Sequence, residues 1–101
     1  MARYRFGPFA IAVAQLRKAV PPPFPVRVVR APVPGGIAGD TRLHRRGFVI
    51  RVCPRLPEEA AVLVLLHEWA HTFVYHWPHG DHTAAWGVVY AMVWRAFSEP
   101  D

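Results

Sequence analysis

From Ala60 to Trp77 the chain is almost wholly apolar, and it carries His67, Glu68 and His71 near its centre, with His76 close to its end. Pro57-Glu58-Glu59 precedes the run, which suits a helix start, since proline fits the first turn and acidic groups favour the positive end of the helix dipole. Pro78-His79-Gly80 closes it. A helix over about 58 to 75 or 76 is therefore predicted, apolar on most of its circumference and so buried. A membrane span is disfavoured, because ionisable groups at the centre of a bilayer are costly. This helix must be the centre of whatever the chain folds into.

Its polar residues are spaced for chemistry. His67-Glu68-Trp69-Ala70-His71 is an H-E-x-x-H segment. Residues four apart on a helix lie on one face, so the two imidazoles can reach one Zn²⁺ ion, and Glu68, about 100° around the helix, can hold a water and take its proton. Two satisfied core histidines are the structural alternative. A glutamate between them, in a run otherwise nearly free of charge, argues against it.

A chain of 101 residues is read as one domain, 1–101, with a hydrophobic content of 52% that supports a core of its own. Cys53 is the single cysteine, so neither an internal disulfide nor a cysteine zinc knuckle can form, and it reads as a small buried apolar residue at a strand end. Arg3 and Arg5 before Phe9–Val13 resemble an export signal superficially. The apolar run is too short and is closed by Gln15, Arg17 and Lys18, so a cytoplasmic location is expected.

Four further elements are legible. Phe9 to Val20 is predicted helical, with Phe9, Val13, Leu16 and Val20 at helical spacing and Pro21-Pro22-Pro23 ending it. Pro25 to Arg30 is rich in β-branched residues and reads as a strand, and Pro32 to Gly39 as a turn-rich connector. Gly39-Asp40-Thr41 is too short for a phosphate loop. Gly47 to Val52 alternates and reads as the best strand. Asp81 or Thr83 can cap a last helix running to about Phe97, with Trp86, Tyr90, Val93 and Phe97 on one core-facing stripe. Trp69, Trp77, Trp86 and Trp94 are read as packing residues. The fold class expected is α+β: an N-terminal helix, a small curved antiparallel or mixed sheet, the H-E-x-x-H helix and a C-terminal helix.

Catalytic zinc usually has three protein ligands and one open position. No Glu occurs between Glu68 and Glu99, and upstream only His44 is a plausible donor. His76, nine residues after His67, points away if the helix persists. His82, where a short turn folds the next helix back, is favoured as the third ligand, with His79 in the linker as the alternative.

The strand, the Pro/Glu-Glu helix start, Leu65-Leu66-His67-Glu68-Trp69-Ala70-His71, the short linker and His82-Thr83-Ala84-Ala85-Trp86-Gly87 together resemble the small zincin metallopeptidases of the SprT-like group, especially short phage-type members. The resemblance covers about Gly47 to Phe97. It implies a zincin-like fold, one Zn²⁺ per chain on His67, His71 and His82, Glu68 as general base, Trp86 as a packing aromatic, and a peptide or protein substrate. In zincins the strand before the motif helix pairs with an extended substrate, which points here to Phe48–Val52. Tyr75, His76, His79 and Tyr90 are candidates for stabilising the oxyanion. No zinc-ribbon cysteines are present, so the DNA-associated roles of that group carry over poorly.

The net charge is +5, and arginine supplies nearly all the basic residues, with an excess at Arg27, Arg30, Arg42, Arg45, Arg46, Arg51 and Arg55. Such a face can attract nucleic acid or an acidic protein, although no nucleic-acid motif accompanies it. Three functions are therefore weighed: a zinc endopeptidase, a peptidase specific for one protein, and a non-catalytic zinc-stabilised binding module with a basic face.

Overall fold

The computed structural model describes residues 7–76 and 83–98. The order is α1 (Gly7–Ala19), β1 (Val26–Arg30), a 3-10 turn (Pro34–Gly36), β2 (Gly39–His44), β3 (Gly47–Val52), α2 (Glu58–Val74) and α3 (Ala84–Ser98). The architecture is α+β, with three helices and a small open sheet of three strands.

The strands lie in the order β1-β3-β2. β3 runs parallel to β1 (Val26 opposite Phe48, Arg30 opposite Val52) and antiparallel to β2 (Gly39 opposite Val52, His44 opposite Gly47), so the sheet is mixed. Alternation in β3 is strict: Phe48, Ile50 and Val52 are buried, whereas Val49 and Arg51 are half-exposed on the other side.

β2 is absent from the sequence reading, which ended the connector at Gly39. Its physical signal is weak. It is an edge strand with polar residues at most positions and exposure over Arg42–His44. The turn joining it to β3 is the two-residue loop Arg45-Arg46, with Arg45 at φ 56°. Such loops normally carry Asn or Gly where φ is positive, so nothing in the letters announces a hairpin.

One face of the sheet packs on α2, and α1 and α3 pack on α2 and on each other. Ala61, Leu65, Leu66, Trp69 and Ala70 of α2 are wholly enclosed between Leu16 and Ala12 of α1, Phe48, Ile50 and Val52 of β3 and Val93 of α3. No described helix is long and apolar enough to cross a membrane. The expected stripe on α3 holds, with Val93 at its centre and Trp86, Tyr90 and Phe97 half-buried beside it. Cys53 follows β3 and is half-exposed rather than buried.

Glu58 joins three elements at the start of α2. It accepts the Phe9 N–H at 3.0 Å, one of the first-turn donors of α1 that has no partner within its own helix, and pairs with Arg30 Nη1 at 3.0 Å. Arg30 also donates through Nη2 to the carbonyls of Cys53 and Leu56. The Phe9 N–H first, and then the Arg30 guanidinium, hold the Glu58 carboxyl below the usual carboxylate range. A depressed folded-state value means that this contribution is complete above the unfolded pKa and is lost as pH falls through the folded one.

Candidate metal centre

Helical spacing brings the two imidazoles together as expected: His67 Nε2 and His71 Nε2 are 3.1 Å apart. Two nitrogens bound tetrahedrally to zinc at about 2.0–2.1 Å lie about 3.3 Å from each other, so the pair is spaced to share one ion. His67, Glu68 and His71 form the group of metal-ligating side chains among the described residues, with one donor atom of each within 4.8 Å of the others. Both histidines are half-exposed, while Glu68 is buried at 7% exposure. Two imidazole nitrogens and a carboxylate are a donor set that can hold a metal ion. His79 and His82, the expected sources of a third ligand, lie outside the described residues.

The buried carboxylate is held by a residue that sequence reasoning passed over. Thr41 on β2 places its hydroxyl 2.7 Å from Glu68 Oε1, and 3.1 Å from the Glu68 main-chain carbonyl. A hydroxyl donating to a carboxylate is a strong, orienting interaction. It is reached because β2 comes very close to α2. A Cβ on Gly39 would stand 2.6 Å from a Val64 methyl and 2.8 Å from the Arg51 carbonyl, so only glycine allows the approach. The available signal was the triplet Gly39-Asp40-Thr41, the start of β2, which carries no recognisable motif.

Two depressions meet at the motif and share Gly39, His67 and Glu68. The larger, about 520 Å³, is bounded by Asp40, Thr41, His71, Val74 and Tyr75. The smaller, about 290 Å³, is bounded by Ala38, Leu63, Val64 and Tyr90. Together they make a groove along α2, with Gly39 at its middle. On the side of α3, Trp86 and Tyr90 stack on each other at 4.8 Å, and the Trp86 ring lies 4.9 Å from His67 and 5.4 Å from His71. Trp86 is thus a packing aromatic that also walls the histidine pair.

The other named residues are sorted by the fold. Tyr75 and Tyr90 flank the motif from opposite ends of the groove. His76 stacks instead in a cluster with Phe24, Phe48 and Tyr75. His44 sits on the far side of the sheet with Arg42 and Arg51, away from the motif. The strand expected to pair with substrate also needs correction: β3 is the central strand, and its hydrogen-bonding groups are engaged by β1 and β2 on either side. The edge strand at the groove is β2, whose second side pairs with no strand among the described residues.

Trp69, inside the motif, faces the opposite way. It is fully buried and donates its indole N–H to the Val20 carbonyl at 2.9 Å. Comparison with family models, with curated proteins and with solved structures finds no match to this chain.

Proposed function

We propose that the chain is a zinc-dependent peptidase with a zincin-like active site of the SprT-like kind, in which His67 and His71 hold the metal, His82 supplies the third ligand (His79 being the alternative), and Glu68 is the general base. The observation that carries this reading is the pairing of two imidazole nitrogens 3.1 Å apart with a buried carboxylate fixed by Thr41, at the floor of a groove. When bound, the metal supplies a Lewis acid that acidifies water and polarises a carbonyl. Glu68 accepts the proton of the attacking water and delivers it to the leaving amine. Burial keeps competing water from its carboxylate, and the Thr41 hydroxyl fixes the carboxylate's orientation. An extended peptide adds to the outer side of β2, which pairs with no strand among the described residues, with main-chain hydrogen bonds supplying affinity. Of the candidates for donating to the developing oxyanion, Tyr75 and Tyr90 line the groove.

Metal content per chain and hydrolysis of a quenched-fluorescent peptide library test the proposal together. About one zinc per chain is expected, lost in the His67→Ala/His71→Ala variant, with hydrolysis abolished by a chelator and restored by zinc. Failure to take up added zinc overturns it. Zinc bound without turnover on any peptide replaces it with a zinc-stabilised binding module, in which chelation lowers Tm but no reaction is lost.

Thr41→Val keeps the shape of the side chain and removes only the hydroxyl. With Thr41 positioning Glu68, kcat falls by about tenfold, the equivalent of one charge-assisted hydrogen bond, while KM and metal content stay unchanged. A change in KM alone, or in neither constant, contradicts that role.

A further inference from the structure

The face of the sheet turned away from α2 has its own chemistry. Strand register puts Arg27, Val49 and Arg42 in one row across β1, β3 and β2, and Val29, Arg51 and Asp40 in the next. No described helix packs on this face. A shallow depression of about 270 Å³ is lined by Arg27, Arg42, Leu43, His44, Val49 and Arg51. Asp40, the one carboxylate on this surface among the described residues, is engaged by Arg51 opposite it. Arg27 and Arg42 are exposed and make no ion pair among the described residues, and the exposed Arg45 and Arg46 continue the positive charge at the hairpin tip.

Not all the arginines of this half of the chain behave alike, which is what gives the patch meaning. Arg30 is spent on Glu58 and two carbonyls, and Arg51 on Asp40. Among the arginines without an ion pair to a described carboxylate, Arg27, Arg42, Arg45 and Arg46 cluster on β1, on β2 and on the turn that follows β2, whereas Arg17 and Arg55 lie elsewhere. Like charges gathered on one sheet face repel, and solvent or a polyanion screens them.

We propose that this sheet face binds the phosphodiester backbone of nucleic acid without reading its sequence. Three features favour that occupant. Guanidinium groups match phosphate oxygens bidentately. Arg27 and Arg42 stand two strand spacings apart, about 9.5 Å at the backbone, a separation that lets their side chains reach successive phosphates of one strand. The middle of a sheet face offers no main-chain hydrogen-bonding groups, which leaves a bound acidic peptide only its side chains, whereas nucleic acid carries charge in the backbone itself. A lipid surface would need large apolar side chains to insert, and here the two outward valines, Val29 and Val49, are half-buried. The row holds no Phe, Tyr or Trp on which a base could stack, so the contact is to phosphate.

Fluorescence anisotropy with a labelled DNA duplex of about 20 base pairs, titrated at salt concentrations from about 50 to 200 mM, tests this. Four phosphate contacts give a slope of log Kobs against log salt of about −3.6. Arg27→Gln/Arg42→Gln makes the slope shallower by about 1.8 and weakens binding on the order of 50-fold at about 0.1 M salt. Lys18→Gln/Arg55→Gln removes the same charge elsewhere and leaves the slope unchanged. Equal loss in both variants, binding unaltered by Arg27→Gln/Arg42→Gln, or capture of polyglutamate or phosphatidylserine vesicles with none of the duplex, overturns the proposal. The variants carry surface changes only, and their unchanged Tm is checked alongside. Metal at the histidine pair does not enter this measurement, so its failure and that of the peptidase reading are separate results.

Discussion

Glu68→Gln is expected to lower kcat by about 10²–10⁴-fold, the usual contribution of a positioned general base, while zinc stays at one ion per chain. Glutamine has nearly the same shape, and its amide oxygen can still accept from the Thr41 hydroxyl that now lies 2.7 Å from the carboxylate. What it loses is the ability to take a proton. KM should therefore stay within a few-fold of wild type, the pattern of an interaction needed only at the transition state. Glu68 is also a buried carboxylate, and replacing a buried charge by a neutral group relieves its desolvation, so Tm should be equal or higher. Steady-state kinetics, metal analysis and a melting curve on one preparation check all three. Hydrolysis at the wild-type rate would remove Glu68 from the mechanism. A lowered Tm with lost metal would show instead that the carboxylate is structural.

The largest loss of stability is expected from Trp69→Ala. The indole is fully enclosed against α1 and hydrogen-bonded to the Val20 carbonyl at the end of that helix, with the Arg17 guanidinium 5.9 Å from the ring centre. Truncating a buried tryptophan costs about 3–5 kcal/mol. In a domain of this size each kcal/mol moves Tm by about 4–8 °C, so melting should fall by about 12 °C or more. Trp69→Phe separates the two contributions. It retains most of the apolar contact and leaves the Val20 carbonyl unsatisfied, for a loss of about 1–2 kcal/mol. Urea denaturation of the three proteins at equal m value gives the differences directly. A loss below about 1 kcal/mol for the alanine variant would show that α1 can be released without disturbing the core.

Both experiments concern neighbouring letters of one motif, and they explain what could be read in advance. α2 was legible because its start signal, its length and its apolar composition agree, and the observed helix, Glu58–Val74, ends within two residues of expectation. The His67–His71 pair followed from helical geometry alone. β3 was legible because its alternation repeats without a break over Gly47–Val52. β2 was not, since an edge strand is half solvated and needs little apolar patterning, and its turn uses Arg45 where glycine usually sits. Missing β2 had two consequences. β3 was assigned a substrate-pairing edge that it does not have, and Thr41 was left out of the site although it touches Glu68. The partner of a side chain on another element is a tertiary fact, and no local spacing encodes it. The basic half of the chain divides in the same way: composition showed the excess of arginine, but only strand register shows that Arg51 is neutralised while Arg27 and Arg42 are not.

The separate partners of Glu68 and Trp69 also restrict how this chain can vary in length. Consecutive helical residues are rotated by about 100°, so one residue inserted between Pro57 and His67 moves every later side chain a quarter-turn or more and cannot satisfy both the Thr41 hydroxyl and the Val20 carbonyl. A change of one whole turn would restore the angle but shift the histidines by about 5.4 Å along the groove. Lineages descended from this sequence should therefore carry their insertions and deletions at Pro34–Gly36 and Arg45-Arg46, where the chain is exposed, and keep the spacing from Pro57 to His71 invariant.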